Sequence, residues 1–159
     1  MFALMSTLEL GDIGERWVYE QLVKRGYKCQ FMPLDCQNCD ILITGQNGRR
    51  LPVEVKFARP TTRKGRKSTR WQFQIHETAQ RMHGDWVLIL VCQDSKRTHY
   101  PFIIPGQLVS ERPHVQITSH PKTYTGWMER YLNRWDIIDY LLDQEYKNGG
   151  LPLEQSEAA

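Results

Sequence analysis

The sequence contains no hydrophobic segment long enough to cross a membrane, and it has few cysteines. The apolar run Val87–Cys92 is six residues long, whereas a transmembrane helix needs about 20 residues. The N-terminal stretch Met1–Met5 is too short for a secretory signal, and no basic segment precedes it. The four cysteines are unevenly spaced, unlike those of a disulfide-rich secreted domain. We therefore expect a reduced, cytoplasmic protein.

The chain also lacks a large excess of charge, since its formal net charge is only +3. The distribution is uneven, however. The segment Arg49–Arg70 contains nine basic residues and a single acid, Glu54, a local balance of +8. From Asp136 to the C-terminus there are six acids and one basic residue, Lys147, a balance of −5. The basic segment is therefore either a surface for an acidic partner or a solvated loop.

The 159 residues are enough for one domain of ordinary size. We expect residues 1–150 to form that domain and residues 151–159 to be a frayed tail. Apolar residues at helical spacing predict a first helix over Gly11–Arg25, closed by Gly26, and a long C-terminal helix over Tyr124–Tyr146. A short helix is expected at His76–His83. The predicted strands are Tyr27–Met32, Asp40–Thr44, Leu51–Phe57, Arg70–Ile75, Trp86–Gln93 and His99–Ile104. The order predicts an α/β fold with a mixed central sheet flanked by helices.

One predicted hairpin carries residues suited to hydrolysis. Glu54 and Lys56 are two positions apart on a strand, so their side chains point to the same face. Asp40 opens the preceding strand and would lie close to Glu54 across the turn. Converging carboxylates attract a hard cation such as Mg²⁺, and a neighbouring lysine can orient a water or stabilise an oxyanion. Alternating charges on a strand are also common at solvent-facing positions, and a second Glu-x-Lys occurs at 145–147.

Three segments in the first third of the chain resemble the PD-(D/E)xK nuclease superfamily. They are GDIGERWVYEQLVKRGY at 11–27, CDILI at 39–43 and PVEVK at 52–56. The superfamily includes restriction endonucleases, Holliday junction resolvases and small homing endonucleases. The resemblance implies a restriction-endonuclease-like core and Mg²⁺-dependent cleavage of DNA to 5′-phosphate and 3′-hydroxyl ends, with Mn²⁺ as a substitute metal.

The same resemblance implies roles for individual residues. Asp40 and Glu54 would be metal ligands, Lys56 the catalytic lysine, and Glu15 an accessory acid that reaches a metal directly or through water. The proline of the motif is absent, because Pro33 is not adjacent to Asp40. Asp35 is an alternative first acid, although it lies in a turn. One such site cuts one strand, so cleavage of both strands would require a homodimer or larger assembly.

The basic segment that follows Lys56 is predicted to be a loop, because it contains Pro60 and Gly65 and has no apolar period. At the mouth of the site its side chains would contact the DNA backbone. The candidate DNA-binding residues are Arg59, Arg63, Lys64, Arg66, Lys67 and Arg70. On the next strand, Gln74 is a candidate for positioning water in the site. The alternative is that Gln72 and Gln74 are ordinary outward-facing strand residues.

The remaining signals are weaker. Cys36-x-x-Cys39 is half of a zinc or iron–sulfur motif that Cys29 and Cys92 could complete. Because those two lie in strand patterns where buried thiols are common, we expect free cysteines rather than structural zinc. Three aromatic residues could stack on bases, although aromatic residues at this spacing more often lie in the core or at a dimer interface; they are Trp127, Tyr131 and Trp135.

Together these features predict a DNA endonuclease with DNA as partner and no membrane association. Two alternatives remain open: a nucleic-acid-binding module of the same fold that does not cleave, and an α/β interaction domain whose polarised charge aids solubility.

Overall fold

A computed structural model of the chain describes residues 7–31, 39–62, 69–109, 112 and 114–143. These residues form three α-helices and eight β-strands, joined by turns and short 3₁₀ helices. The helices are α1 (Thr7–Lys24), α2 (His76–Arg81) and α3 (Asp136–Leu142). The strands are β1 (Lys28–Phe31), β2 (Ile41–Thr44), β3 (Arg50–Ala58), β4 (Thr61–Thr62), β5 (Thr69–Gln74), β6 (Val87–Gln93), β7 (His99–Pro105) and β8 (His114–Ile117).

The centre of the fold is a five-stranded sheet in the order β1-β2-β3-β6-β7. Only β3 and β6 run parallel, and the other neighbouring strands are antiparallel. Every residue of β6 is buried, as its uninterrupted apolar sequence predicts for a central strand covered on both faces. Helix α1 packs against β3. The predicted α/β class with a mixed sheet and flanking helices is confirmed.

A second sheet contains three strands in the order β4-β5-β8, of which only β5 was predicted as a strand. Both ends of the predicted Arg59–Arg70 loop are strands, because Thr61 pairs with Arg70 and Thr62 pairs with Thr69. Residues 63–68 are outside the described residues. Strand β8 was not predicted at all. Its four residues alternate between exposed and buried side chains and pair with β5.

Helix α1 begins four residues earlier than predicted and ends where expected. Gly26 follows it at φ +89°, the left-handed conformation that favours glycine after a helix. Val18 and Leu22 on its inner face are fully buried. At Gly14 the helix approaches β3 so closely that an added Cβ would lie 2.6 Å from the Cβ of Phe57. This contact requires glycine.

The long C-terminal helix predicted over Tyr124–Tyr146 is wrong in extent. Its first part consists of turns and the 3₁₀ segment Glu129–Tyr131, and the helix proper begins at Asp136. Two backbone features interrupt it: Leu132 forms a bridge with Phe102 of β7, and Asn133 has φ +57°. The description ends at Asp143, so the predicted helix end and the tail at 151–159 lie outside it. No helix in the described ranges is long and apolar enough to span a membrane.

Candidate active site

The β2–β3 hairpin places Asp40 across from Glu54. Ile41 pairs with Val53, so the residue before Ile41 lies opposite the residue after Val53. The backbone N–H of Asp40 donates to the carbonyl oxygen of Val53 at 2.9 Å. Its carboxylate Oδ2 accepts from the backbone N–H of Val55 at 2.8 Å. Both hydrogen bonds hold the Asp40 side chain against β3, beside Glu54.

Glu54 is a buried carboxylate, with 5 % of its surface exposed. A single oxygen, Oε1, receives three contacts. Lys56 Nζ lies 3.4 Å away and Arg81 Nη2 lies 3.2 Å away. The hydroxyl of Thr78 donates to the same oxygen at 3.4 Å. Burial and the negative charge of Asp40 raise the pKa of Glu54, and the cations of Lys56 and Arg81 oppose that shift.

Glu15 extends this acidic group from helix α1. Its pKa is raised to about 7, first by burial and then by the charge of Asp40 and a hydrogen bond with that carboxyl. Asp12 and Glu54 add smaller repulsions in the same direction. Electrostatic interaction therefore connects Glu15, Asp40 and Glu54. With a pKa of about 7, Glu15 is only partly ionised near neutral pH.

The Glu54–Lys56 side of the site opens into a cleft of about 740 Å³. Its wall includes Thr78 and Arg81 from α2 together with Gln74, His76, Glu77 and His114. Lys56 is about one-third exposed, so its ammonium group is accessible from the cleft. Glu15 and Asp40 are not among the lining residues. A molecule in the cleft would therefore meet Glu54 and Lys56 first.

The oxygen ligands in this region match the preference of a hard divalent cation. Burial, followed by the charge of Asp40, raises the pKa of both Glu15 and Glu54. In the part of the chain that the structure describes, however, no three His, Cys, Asp or Glu side chains are grouped as a ready metal site. The chemistry of the side chains fits a divalent cation, although no three of them form a compact cage.

Two site residues were not found from the sequence. Arg81 and Thr78 lie 27 and 24 positions after Glu54, and no motif connects a strand to a helix at that distance. The sequence contained one weak indication. Thr78 and Arg81 are three positions apart on a predicted helix, so their side chains share one face. Gln74, which the sequence did suggest, lines the cleft from the three-stranded sheet. It does not come from a strand paired with β3, whose neighbours are β2 and β6.

Of the predicted DNA-binding residues, only Arg59 and Arg70 are described. Arg59 is exposed just after β3, and its Nε donates to the side-chain oxygen of Gln93 at 3.1 Å. Arg70 is half-buried on β5. Arg63, Lys64, Arg66 and Lys67 lie outside the described residues, as does the alternative acid Asp35.

The three described cysteines, Cys29, Cys39 and Cys92, are not among the residues that line the cleft, and neither are Trp127, Tyr131 and Trp135. Cys29 is half-buried and Cys39 and Cys92 are buried, whereas Cys36 lies outside the described residues. Burial raises the pKa of the Cys92 thiol. Tyr131 and Trp135 are buried, which favours the interpretation that they pack in the core.

Comparison with solved structures shows that the fold resembles that of a bacterial homing endonuclease, I-Ssp6803I, with a TM-score of 0.61 and 16% sequence identity. The superposition covers 98% of this chain and 100% of the endonuclease chain. No protein-family model and no curated protein matches the sequence. At this identity the similarity establishes the fold: the mixed α/β architecture of this chain is also that of a nuclease.

Proposed function

We propose that the protein is a divalent-metal-dependent DNA endonuclease that hydrolyses phosphodiester bonds to 5′-phosphate and 3′-hydroxyl ends. The observation that carries this proposal is the position of Glu54 and Lys56 side by side at a cleft, with Asp40 across from Glu54. The similarity in fold to a homing endonuclease supports the same chemistry. A fold alone does not define an activity, so these side chains carry the proposed chemistry.

In this proposal Asp40 and Glu54 hold Mg²⁺, or Mn²⁺ in its place, and Glu15 contributes from α1. Asp40 is fixed by the Val55 N–H through Oδ2. Glu54 directs Oε1 to the cations and Thr78. A bound divalent ion supplies positive charge that stabilises the phosphoryl oxygens as negative charge develops, and it activates water for attack.

Lys56 supports the reaction from the exposed side of β3. Its ammonium group faces the cleft, where it donates hydrogen bonds to the attacking water or to a phosphoryl oxygen. Arg81 adds a second positive charge on the same wall. Both cations favour the approach of a phosphate to a region that three carboxylates would otherwise make repulsive.

DNA binding is supported by the basic segment that surrounds this strand. Of the residues 49–70, nine are basic and one is acidic. The exposed Arg59 follows β3 directly. Since each chain has one Glu54–Lys56 site, we further propose that cleavage of both strands is carried out by a homodimer or a larger homo-oligomer.

One observation favours a second candidate, a nucleic-acid-binding module that does not cleave. Lys56 and Arg81 already neutralise the Oε1 atom of Glu54 without a metal. If these ion pairs persist on DNA, the carboxylate holds two cations for phosphate binding and no hydrolysis occurs.

A cleavage assay separates the two candidates. The protein is incubated with supercoiled plasmid, branched junctions and linear duplex, in Mg²⁺ or in chelator. We expect Mg²⁺-dependent cleavage, reduced about 100-fold or more in Asp40→Ala and Lys56→Ala, since each removes a group that acts on the reacting phosphate. The control is Lys147→Ala, which alters the other Glu-x-Lys of the chain.

Full activity in both site variants would contradict the assignment of the site. Salt-sensitive DNA binding without cleavage of any substrate would support the non-cleaving module instead. Cleavage that survives chelator would show that the chemistry does not require a divalent metal.

A further inference from the structure

The outer face of the three-stranded sheet carries an array of amide and imidazole side chains. Along β5 and β8 the buried residues alternate with exposed ones. Trp71, Phe73, Val115 and Ile117 point into the core. The exposed side chains are Gln72 and Gln74 on β5 and His114 and Gln116 on β8.

Strand register arranges these four side chains in two rows. Gln72 is paired with Gln116, and Gln74 is paired with His114. The Gln72 amide donates to the Gln116 amide oxygen at 3.1 Å, which orients both groups on the outer face. Arg70, two residues before Gln72, belongs to the same face of β5 by strand alternation. None of these five side chains is acidic, so the face does not repel phosphate.

The face is continuous with the candidate active site. Gln74 and His114 also line the cleft that contains Glu54 and Lys56, whereas Gln72 and Gln116 lie one row away from it. A nucleic acid that lay across the sheet could thus reach the cleft with a neighbouring phosphate.

We propose that this face, formed by Arg70, Gln72, Gln74, His114 and Gln116, reads base edges in the major groove of duplex DNA. Glutamine forms paired hydrogen bonds with adenine N6 and N7, and arginine does so with guanine O6 and N7. The B-DNA major groove admits a two-stranded β-ribbon, whereas the major groove of A-form RNA is too narrow for side chains. Side chains two apart on a strand are separated by about 6.7 Å, close to two base-pair steps of about 3.4 Å.

This inference rests on the proposed DNA endonuclease function and adds the residues that select the sequence. It also accounts for the composition of the face, which carries three glutamine amides and no acidic side chain in a chain where one residue in four is charged. Phosphate contacts would fix the position of the DNA, and the amides would contact the bases.

Selection of cleaved or bound sequences from a randomised duplex library tests the inference. We compare the full-length parent with Gln72→Ala, Gln116→Ala and Gln116→Arg. The control is Gln30→Ala, which removes an exposed strand glutamine from β1, in the other sheet. In the sequences selected by the parent, we expect a strong base preference at adjacent positions. Adenine should be preferred at the positions that a glutamine contacts.

Gln72→Ala and Gln116→Ala should each lose roughly 5- to 150-fold of discrimination at one or two base pairs, the usual contribution of a paired base contact. Gln116→Arg should shift the preference at its position from adenine to guanine. The salt dependence of binding should change little, because it reports phosphate contacts. Gln30→Ala should select the same sequences as the parent.

Three outcomes would overturn the inference. The first is an unchanged set of selected sequences in the alanine variants, and the second is a parent that cleaves without sequence preference. The third is a uniform loss of affinity for all sequences with a shallower salt slope, which would indicate phosphate contacts. If the parent still cuts DNA in any of these cases, the proposed endonuclease function survives. A parent that neither binds nor cuts duplex DNA would contradict both.

Discussion

Two glycines of helix α1 provide a direct test of how the helix is seated on the sheet. Both Gly11 and Gly14 lie inside α1, but their surroundings differ. A Cβ added at Gly11 meets nothing within 4 Å, whereas at Gly14 it would lie 2.6 Å from the Cβ of Phe57. Because that atom is attached directly to the backbone of β3, it cannot rotate away. Gly14→Ala must therefore move the helix or the strand.

The expected magnitude follows from comparing the two alanine variants. In each variant the higher helix propensity of alanine adds about 1 kcal/mol to the free energy of unfolding. In Gly14→Ala, overpacking also lowers the free energy of unfolding, typically by about 1–3 kcal/mol. The helix propensity cancels in the comparison, so the free energy of unfolding of Gly14→Ala should be lower than that of Gly11→Ala by about 1–3 kcal/mol. Glu15, which neighbours Gly14, should also lose its contact with Asp40.

Urea unfolding of the parent and both variants measures this difference, and the slope of the transition shows whether the unfolded states remain comparable. Gly11→Ala is the matched control, because it makes the same substitution in the same helix. Equal stability of the two variants, or a more stable Gly14→Ala, would refute the close approach of α1 to β3.

Two further predictions concern titration and the anchoring of α3. The pKa of Glu15 is raised to about 7 from an ordinary 4.5; the stability due to its protonated form is present below pH 4.5 and is lost as the pH rises through about 7. In chelator, Glu15→Gln should therefore be more stable than the parent at pH 8 by on the order of 1 kcal/mol, a value reduced because Glu15 is partly exposed. At pH 4 the two proteins should be similar in stability. Urea unfolding at both pH values measures this, and an equal difference at pH 4 and pH 8 would contradict the raised pKa of Glu15. The Tyr27 hydroxyl donates to Asp139 Oδ1 at 2.5 Å, so Tyr27→Phe should cost about 1 kcal/mol of unfolding free energy. A double-mutant cycle with Asp139→Ala that shows no coupling would mean that this hydrogen bond does not stabilise α3.

The hairpin shows which features were predictable from local sequence. Alternation of apolar residues in 51–57 identifies a strand whose Glu54 and Lys56 share one face, and the glycines at 45 and 48 indicate the turn. In the structure Gly48 has φ +80°, as that turn requires. Register then follows, because a shift of one residue would expose the apolar side of the strand. Alternation, the turn and the register together therefore predict that Asp40 lies opposite Glu54.

The C-terminal segment shows the opposite case. Aromatic residues at helical spacing indicated a long helix, yet the chain around Glu129–Tyr131 forms a 3₁₀ turn and then leaves helical geometry. Just after this turn, Leu132 forms a bridge with a distant residue, Phe102 of β7. Periodicity records which side chains are buried, but it does not record the backbone path by which they reach the core.

The sequence by itself determined the central strands, helix α1 and the carboxylate–lysine group, because these depend on local propensity, alternation and a tight turn. Only the tertiary structure decided which residues complete the site. The side chains of Arg81 and Thr78 on α2 contact Glu54 of β3, and β8 pairs with β5. Those contacts join residues 24 (Glu54 and Thr78) to 46 (Trp71 and Ile117) positions apart. Their formation depends on how separate elements pack, which no local pattern encodes.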